Sequence, residues 1–366
     1  MNLKFICKNI FILCSILMAA VTFSCNSQTQ SNKKTPSIHS KIDSTKLKYK
    51  TGVRSILEDS KGNIWFGSYS EGVCLLRNGK PQYFTTQDGL SDNQVRNIYE
   101  DKNGIIWFEC GIGLSIYKDQ KMTVFTERNY DTNKQLKLSD NDLWFKSEAS
   151  FGNSKLEKKS GVYQYNGKEL LYHNFNIKNK SGQEIPWAKS TDFVRSKKGV
   201  VWFGAYGELI GHDGKQLITH NNESVGLNGT TENLHIRSLM EDSKGNLWIG
   251  NNCGGGNSGI GVIKYDGKNF IHFTKQHHLR TEDTKGNSLD KVFSIGEDSI
   301  GNIWFGTNES GVWRYDGNSL KNFTPKDGLD SGIIWIIYKS KSGELWFGGG
   351  PNGVYRFTGK SFERIY

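Results

Sequence analysis

The stretch Glu241-Asp242-Ser243-Lys244-Gly245-Asn246-Leu247-Trp248-Ile249-Gly250 decides the fold. Its first half is a tight turn, with an Asp placed to bond nearby backbone amides and a Gly-Asn to reverse the chain. Its second half is a short apolar run that does not alternate with polar residues. Such a run fits a strand covered on both faces. The same wording returns along the chain, anchored by Trp65, Trp107, Trp144, Trp202, Trp248, Trp304 and Trp346 at intervals of 42, 37, 58, 46, 56 and 42 residues.

After each anchor a further strand begins, at Gly72-Val73, Gly113-Leu114, Gly161-Val162, Leu209-Ile210, Gly261-Val262, Gly311-Val312 and Gly353-Val354. The dipeptides Asn166-Gly167, Asp213-Gly214, Asp266-Gly267 and Asp316-Gly317 then favour two-residue hairpins. One such unit cannot bury its indole alone. Closing the units into a ring gives every sheet a second covered face and leaves only short, protected edges. The expected architecture is all-β, a seven-bladed β-propeller of four-stranded antiparallel blades over residues 51–366. Helical repeats of similar length fail because Gly and Asn-Gly interrupt every would-be helix.

Composition agrees. Among 366 residues there are 42 Gly, 10 Trp, 15 Tyr and 20 Phe but only 5 Pro. With no Gly-X-Y period, collagen is excluded, and aromatics at 12% do not suit a disordered chain. The formal charge of +10 is concentrated near the start, in Lys4, Lys8, Lys33, Lys34, Lys41, Lys46, Lys48 and Lys50 against Asp43 alone. Residues 51–366 are nearly balanced, so the basic stripe that nucleic-acid binding requires is not expected.

Residues 1–24 read as a signal peptide, with the apolar run Ile10–Phe23 shorter than the roughly 20 residues a spanning helix needs. Thr22-Phe23-Ser24-Cys25 resembles a bacterial lipoprotein signal, which makes Cys25 the expected lipid site. The pattern departs from that resemblance at Thr22 and Phe23, and an ordinary cleaved signal or an uncleaved anchor stays open. Residues 25–50 are expected to form a flexible tether beside a membrane. Past the leader and Cys25, only Cys74, Cys110 and Cys253 remain, and none forms a CxxC pair. Cys74 and Cys110 are expected to fill strands and Cys253 to sit in a loop.

The repeat resembles the two-component regulator propeller family, the periplasmic sensor repeat of bacterial signalling proteins. The residues that carry the likeness are Gly89-Leu90-Ser91-Asp92-Asn93-Gln94-Val95-Arg96-Asn97-Ile98 and the stretch 241–250 quoted above. Blade three departs most, with a shortened turn before Trp144 and no glycine after it. The resemblance implies a ligand-binding sensor in the cell envelope, periplasmic or as an outer-membrane lipoprotein. In the family a kinase and a DNA-binding module commonly follow, and the expectation here is ligand sensing or binding without that output domain.

Strand order places the long connections together. Ser147–Ser160, Asn251–Gly259, Asn176–Asp192, His220–Leu234 and Lys275–Asp290 all fall between second and third strands or between blades, on one rim. Eleven positions before each anchor tryptophan stand Arg54, Arg96, Thr191, Arg237, Phe293 and Trp335, with Lys134 in blade three if its turn has lost one residue. If these face the central opening, they form a basic arc opposed by aromatics. Arginine forks suit carboxylate or phosphate, and an aromatic face suits a sugar ring or a cation. The expected partner is a small anionic or carbohydrate-like ligand, or an envelope protein, with the membrane reached through the lipid anchor. The alternative, in which these arginines pair with acidic neighbours or pack between blades, stays open.

Catalytic motifs are not evident. Glu58-Asp59, Glu100-Asp101, Glu241-Asp242 and Glu297-Asp298 recur at one turn per blade, which points to structure. His277-His278 lacks a third ligand at a metal-site spacing. Gly254-Gly255-Gly256 opens no helix and is followed by no Lys-Ser/Thr. No cofactor, metal or catalytic residue is assigned. The rival reading is a propeller lyase or hydrolase acting on a carbohydrate or peptide at the central mouth.

Overall fold

A computed structural model describes residues 47–366 apart from 130–135, 147–160, 179–180, 185–188, 228–231, 253–258, 285 and 352. The leader, Cys25, nearly all of the tether, Lys134 and Cys253 therefore lie outside the described residues. The rest forms seven antiparallel sheets whose strands follow one another in sequence order. Blade one runs from inner to outer strand as Val53–Glu58, Ile64–Ser68, Val73–Arg77 and Lys80–Phe84. Six blades have all four strands.

In blade three the position expected for an inner strand carrying Lys134 lies outside the described residues. The blade's described strands are Leu143–Lys146, Val162–Tyr165 and Leu170–His173. The turn before Trp144 is the shortened one. Asp142 accepts from the Ser139 amide at 2.7 Å and from the Gln164 side chain at 2.6 Å. It is thus spent within its own turn.

The regular turn works differently. The Asp59 carboxylate accepts from the Lys61 amide at 3.0 Å, both nitrogens of Asn63 at 2.8 Å and the Trp65 indole at 2.9 Å. Asp242 and Asp298 hold Trp248 and Trp304 in the same way, and Asp101 holds Trp107. Burial opposes ionisation of Asp59, yet these donors hold its carboxyl below the ordinary range. The neighbouring Glu reaches the previous blade instead. Glu100 accepts from the Ser60 amide at 2.7 Å and Glu297 from the Ser243 amide at 2.8 Å. The repeated Glu-Asp pairs are thus structural, one residue fixing the turn and the other tying blades together.

All seven anchor tryptophans are buried. Trp65 lies 5.5 Å from Phe108 and 5.0 Å from Tyr117 of blade two. Trp304 likewise meets Phe347 and Phe357 of blade seven at 5.4 and 5.0 Å. Each such indole contributes on the order of 1.5–3 kcal/mol through burial between sheets. Cys74 and Cys110 are fully buried free thiols in strands.

Side chains close the ring. Phe362–Arg364 is blade seven's own outer strand. Glu58 of blade one accepts from the Lys341 amide of blade seven, and its own amide donates to the Tyr338 hydroxyl at 2.9 Å. Tyr366 packs between Phe66 and Trp346 at 5.0 and 5.6 Å.

Candidate functional site

The inner strands carry a shared irregularity. In five blades the register with the second strand slips by one residue, between Val53 and Ser55, Val95 and Asn97, Ile236 and Ser238, Val292 and Ser294, and Ile334 and Ile336. The extra residues are Arg54, Arg96, Arg237, Phe293 and Trp335. A bulge leaves one residue unpaired and re-aims its side chain. Here that places these side chains in the central channel, at the end where the inter-blade connections enter the inner strands.

A cavity of about 370 Å³ occupies that point, lined by all five bulge residues and by Thr191. Six of the seven positions singled out from the sequence thus meet in one space, and Lys134 lies outside the described residues. Thr191 is committed to backbone, accepting from the Gly204 amide at 2.8 Å and donating to the Asp192 carbonyl at 2.7 Å. It closes the wall where blade four's inner strand is reduced to Val194–Arg195.

The remaining five make a cationic and aromatic arc. Phe293 stacks on Trp335 at 4.8 Å with the rings 10° apart, and Trp335 on Tyr69 at 5.5 Å. Arg237 lies over Phe293 at 5.4 Å and Arg54 over Trp335 at 5.5 Å. Arg96 takes the Gln94 side-chain oxygen at 2.9 Å. Among the described residues none of the three arginines forms an ion pair with a carboxylate. Burial, then the charges of Arg96 and Arg237, pull the Arg54 guanidinium down to about 10. Burial and Arg96 lower Arg237 as well. The cations repel one another in a partly enclosed space, which an anion would relieve.

Sequence reasoning missed the opposite wall. Two residues after the anchor tryptophan most blades have glycine, at Gly67, Gly204, Gly250, Gly306 and Gly348. A Cβ there would collide with its own blade's inner strand and with the next blade, as at Gly306, where it would meet Ser294 Oγ at 2.2 Å and Ile334 Cγ2 at 2.7 Å. Blades two and three have Glu109 and Lys146 instead. Both are buried beside the stretch where blade three lacks a described inner strand. Glu109 pairs with the buried Lys189 at 3.2 Å and accepts from the Lys146 amide at 2.8 Å and from the Asn97 side chain. Burial raises the Glu109 carboxyl, but Lys189 and Lys146 outweigh it and hold it below the usual range.

Lys146 and Asp192 line the cavity from this side. Burial, only partly countered by Glu109, brings the Lys146 amine down to about 7, with Arg96 and Lys189 pushing the same way. Asp192 is open to water in the channel but walled in by protein. That loss of bulk solvent pushes its carboxyl upward against the pull of Lys189. The signal for this wall was present in the sequence, as a departure from glycine in adjacent repeats. Tyr69, Ile112 and Tyr206 are exposed on connections between second and third strands. His277 packs on Phe273 at 4.3 Å, and among the described residues no group of His, Cys, Asp or Glu is arranged to hold a metal ion.

Comparison with known proteins places the repeat. The two component regulator propeller model matches residues 50–70, 89–108, 231–253 and 287–309. These are the four blades in which an Asp carboxylate holds the anchor indole. Histidine kinase P4 of Formosa agariphila is 26% identical over 205 residues, which is 52% of this chain and 14% of the kinase. The extracellular domain of the hybrid two component system BT3049 from B. thetaiotaomicron superposes with a TM-score of 0.60 at 21% identity, over 84% of this chain and 39% of that one. Virginiamycin B lyase from Staphylococcus aureus, as a catalytically inactive variant with quinupristin, gives 0.57 at 12% identity over 84% and 96%. The chain thus spans well under half the length of the kinase and of the extracellular domain. At these identities the structural likenesses establish the propeller fold. The two component regulator propeller repeat is thus matched in blades one, two, five and six, within a ring of seven.

Proposed function

We propose that this chain is the recognition part of an envelope sensor, taking a small anionic, ring-bearing molecule into the central cavity. One observation carries the reading. Arg54, Arg96 and Arg237 arrive from three separate blades, on bulges, in a space where, among the described residues, none of them forms an ion pair with a carboxylate. Clustering like charges is unfavourable unless a bound anion offsets it, and the stacked Phe293 and Trp335 supply a flat face for a ring. The likeness to a histidine kinase and to an extracellular two component domain supports sensing outside the cytoplasm.

Export and attachment through Cys25 belong to the same reading. Membrane fractionation and fatty-acid labelling test it, with Cys25→Ala expected to release the protein into the soluble fraction. For the ligand, thermal-shift screening of the full chain against organic acids and acidic and neutral glycans is the direct experiment. A hit lost in Arg237→Ala supports the cavity, and a hit unchanged in that variant moves the site elsewhere. Lys146 and Asp192, two titratable groups in one cavity, favour the lyase or hydrolase as the second reading. Turnover of the identified ligand would decide for it.

A further inference from the structure

Lys146 stands apart from every other cation in the cavity. It is 5% exposed and lines the open space. The carboxylate nearest to it is already taken, since Glu109 pairs with Lys189 and receives only the backbone amide of Lys146. Among the described residues the Lys146 Nζ has no hydrogen bond and no ion pair. A buried amine without a partner is costly unless something in the cavity engages it.

From this position we infer that Lys146 is a nucleophile, and that the cavity captures an oxo acid by forming a reversible imine on its amine. The inference rests on the anion-binding reading above, because the arginines are what would hold the acid's carboxylate. An amine desolvated and crowded by cations is the usual way a lysine is made reactive. Lys189, Arg96 and Arg54 supply that crowding, and Glu109, Asn97 and Asp192 are the other charged or polar groups facing it. With its amine near pH 7, a large fraction of Lys146 is unprotonated, whereas an ordinary lysine is about one part in 2,500 free at that pH.

The step balances without another reactant. The Nζ lone pair forms a bond to the carbonyl carbon, and the two amine protons leave with the carbonyl oxygen as water. Asp192, whose carboxyl is raised, gives a proton to the departing oxygen and recovers one from the nitrogen. Phe293 and Trp335 favour a cyclic or aromatic substituent on the acid.

Phenylglyoxylate carries all three features, and mandelate is its counterpart without the carbonyl. The purified full chain is incubated at pH 7 with phenylglyoxylate and cyanoborohydride, which reduces an imine to a stable adduct, and peptides are mapped by mass. The expected result is an adduct at Lys146 at least roughly tenfold above any exposed lysine, in line with the free-amine fractions. Lys146→Arg, which keeps a cation but removes the nucleophilic amine, should abolish it. Adducts spread evenly over surface lysines, or none at all, overturn the imine. If mandelate still stabilises the protein in that case, the anion-binding reading stands; if neither acid binds, both fall.

Discussion

The channel has two unlike sectors. From blade five round to blade one the wall is regular, each inner strand bulging at one residue while a glycine on the next strand lets the neighbouring blade close in. In blades two and three the glycines give way to Glu109 and Lys146, and Glu109 pairs with Lys189 of the segment leading into blade four, both buried. The regular sector presents charged and aromatic side chains at little cost, because a bulge re-aims them without disturbing the ladder around it. The irregular sector places titratable groups deep in protein, where they hold only through one another.

The sharpest way to break this contrast is to remove the counter-charge. Glu109→Ala strands Lys189 in the interior, and the expected loss is about 3–5 kcal/mol, measured by urea unfolding. The same change at exposed Glu309, which pairs with Lys291 at 3.0 Å, should fall within about 1 kcal/mol. Next in size is the regular sector's glycine. Gly306→Ala drives a Cβ into Ser294 and Ile334 and should cost about 1–3 kcal/mol.

Smaller and pH-dependent is the effect of Lys146→Met. The lysine's folded pKa lies below its unfolded value, so its charged form is penalised by folding. That penalty is full below about pH 7 and fades as pH rises toward the unfolded value. The variant should therefore gain a few degrees in Tm at pH 6 and little at pH 9.5. An equal gain at both would mean that packing, not charge, distinguishes this sector. Smallest of all, Arg237→Ala should change the unliganded protein's stability by less than about 1 kcal/mol, since lost cation–π contact is offset by relief of repulsion. Its effect should be on ligand-induced stabilisation.

Legibility followed the same division. The spacing of eleven residues before each tryptophan found Arg54, Arg96, Arg237, Phe293 and Trp335, because a constant offset in a repeat is a constant place in a blade. Thr191 shares the offset but not the role, since blade four's inner strand shortens around it. Glu109 and Lys189 are 80 residues apart and carry no shared motif. Only the missing glycine at position 109 hinted at the pair.

Sequence alone determined the blade, its turn and the number of blades, for these depend on contacts within a few residues: an Asp four residues before its Asn, an indole six residues on. It also named most of the arc. The bulge that turns those side chains inward, the ring closed through Glu58 and Lys341, and the burial of Glu109, Lys146 and Lys189 were decided by tertiary structure. Each depends on which strand of another blade comes to lie alongside. Packing between elements distant in sequence fixes that, and local propensity does not.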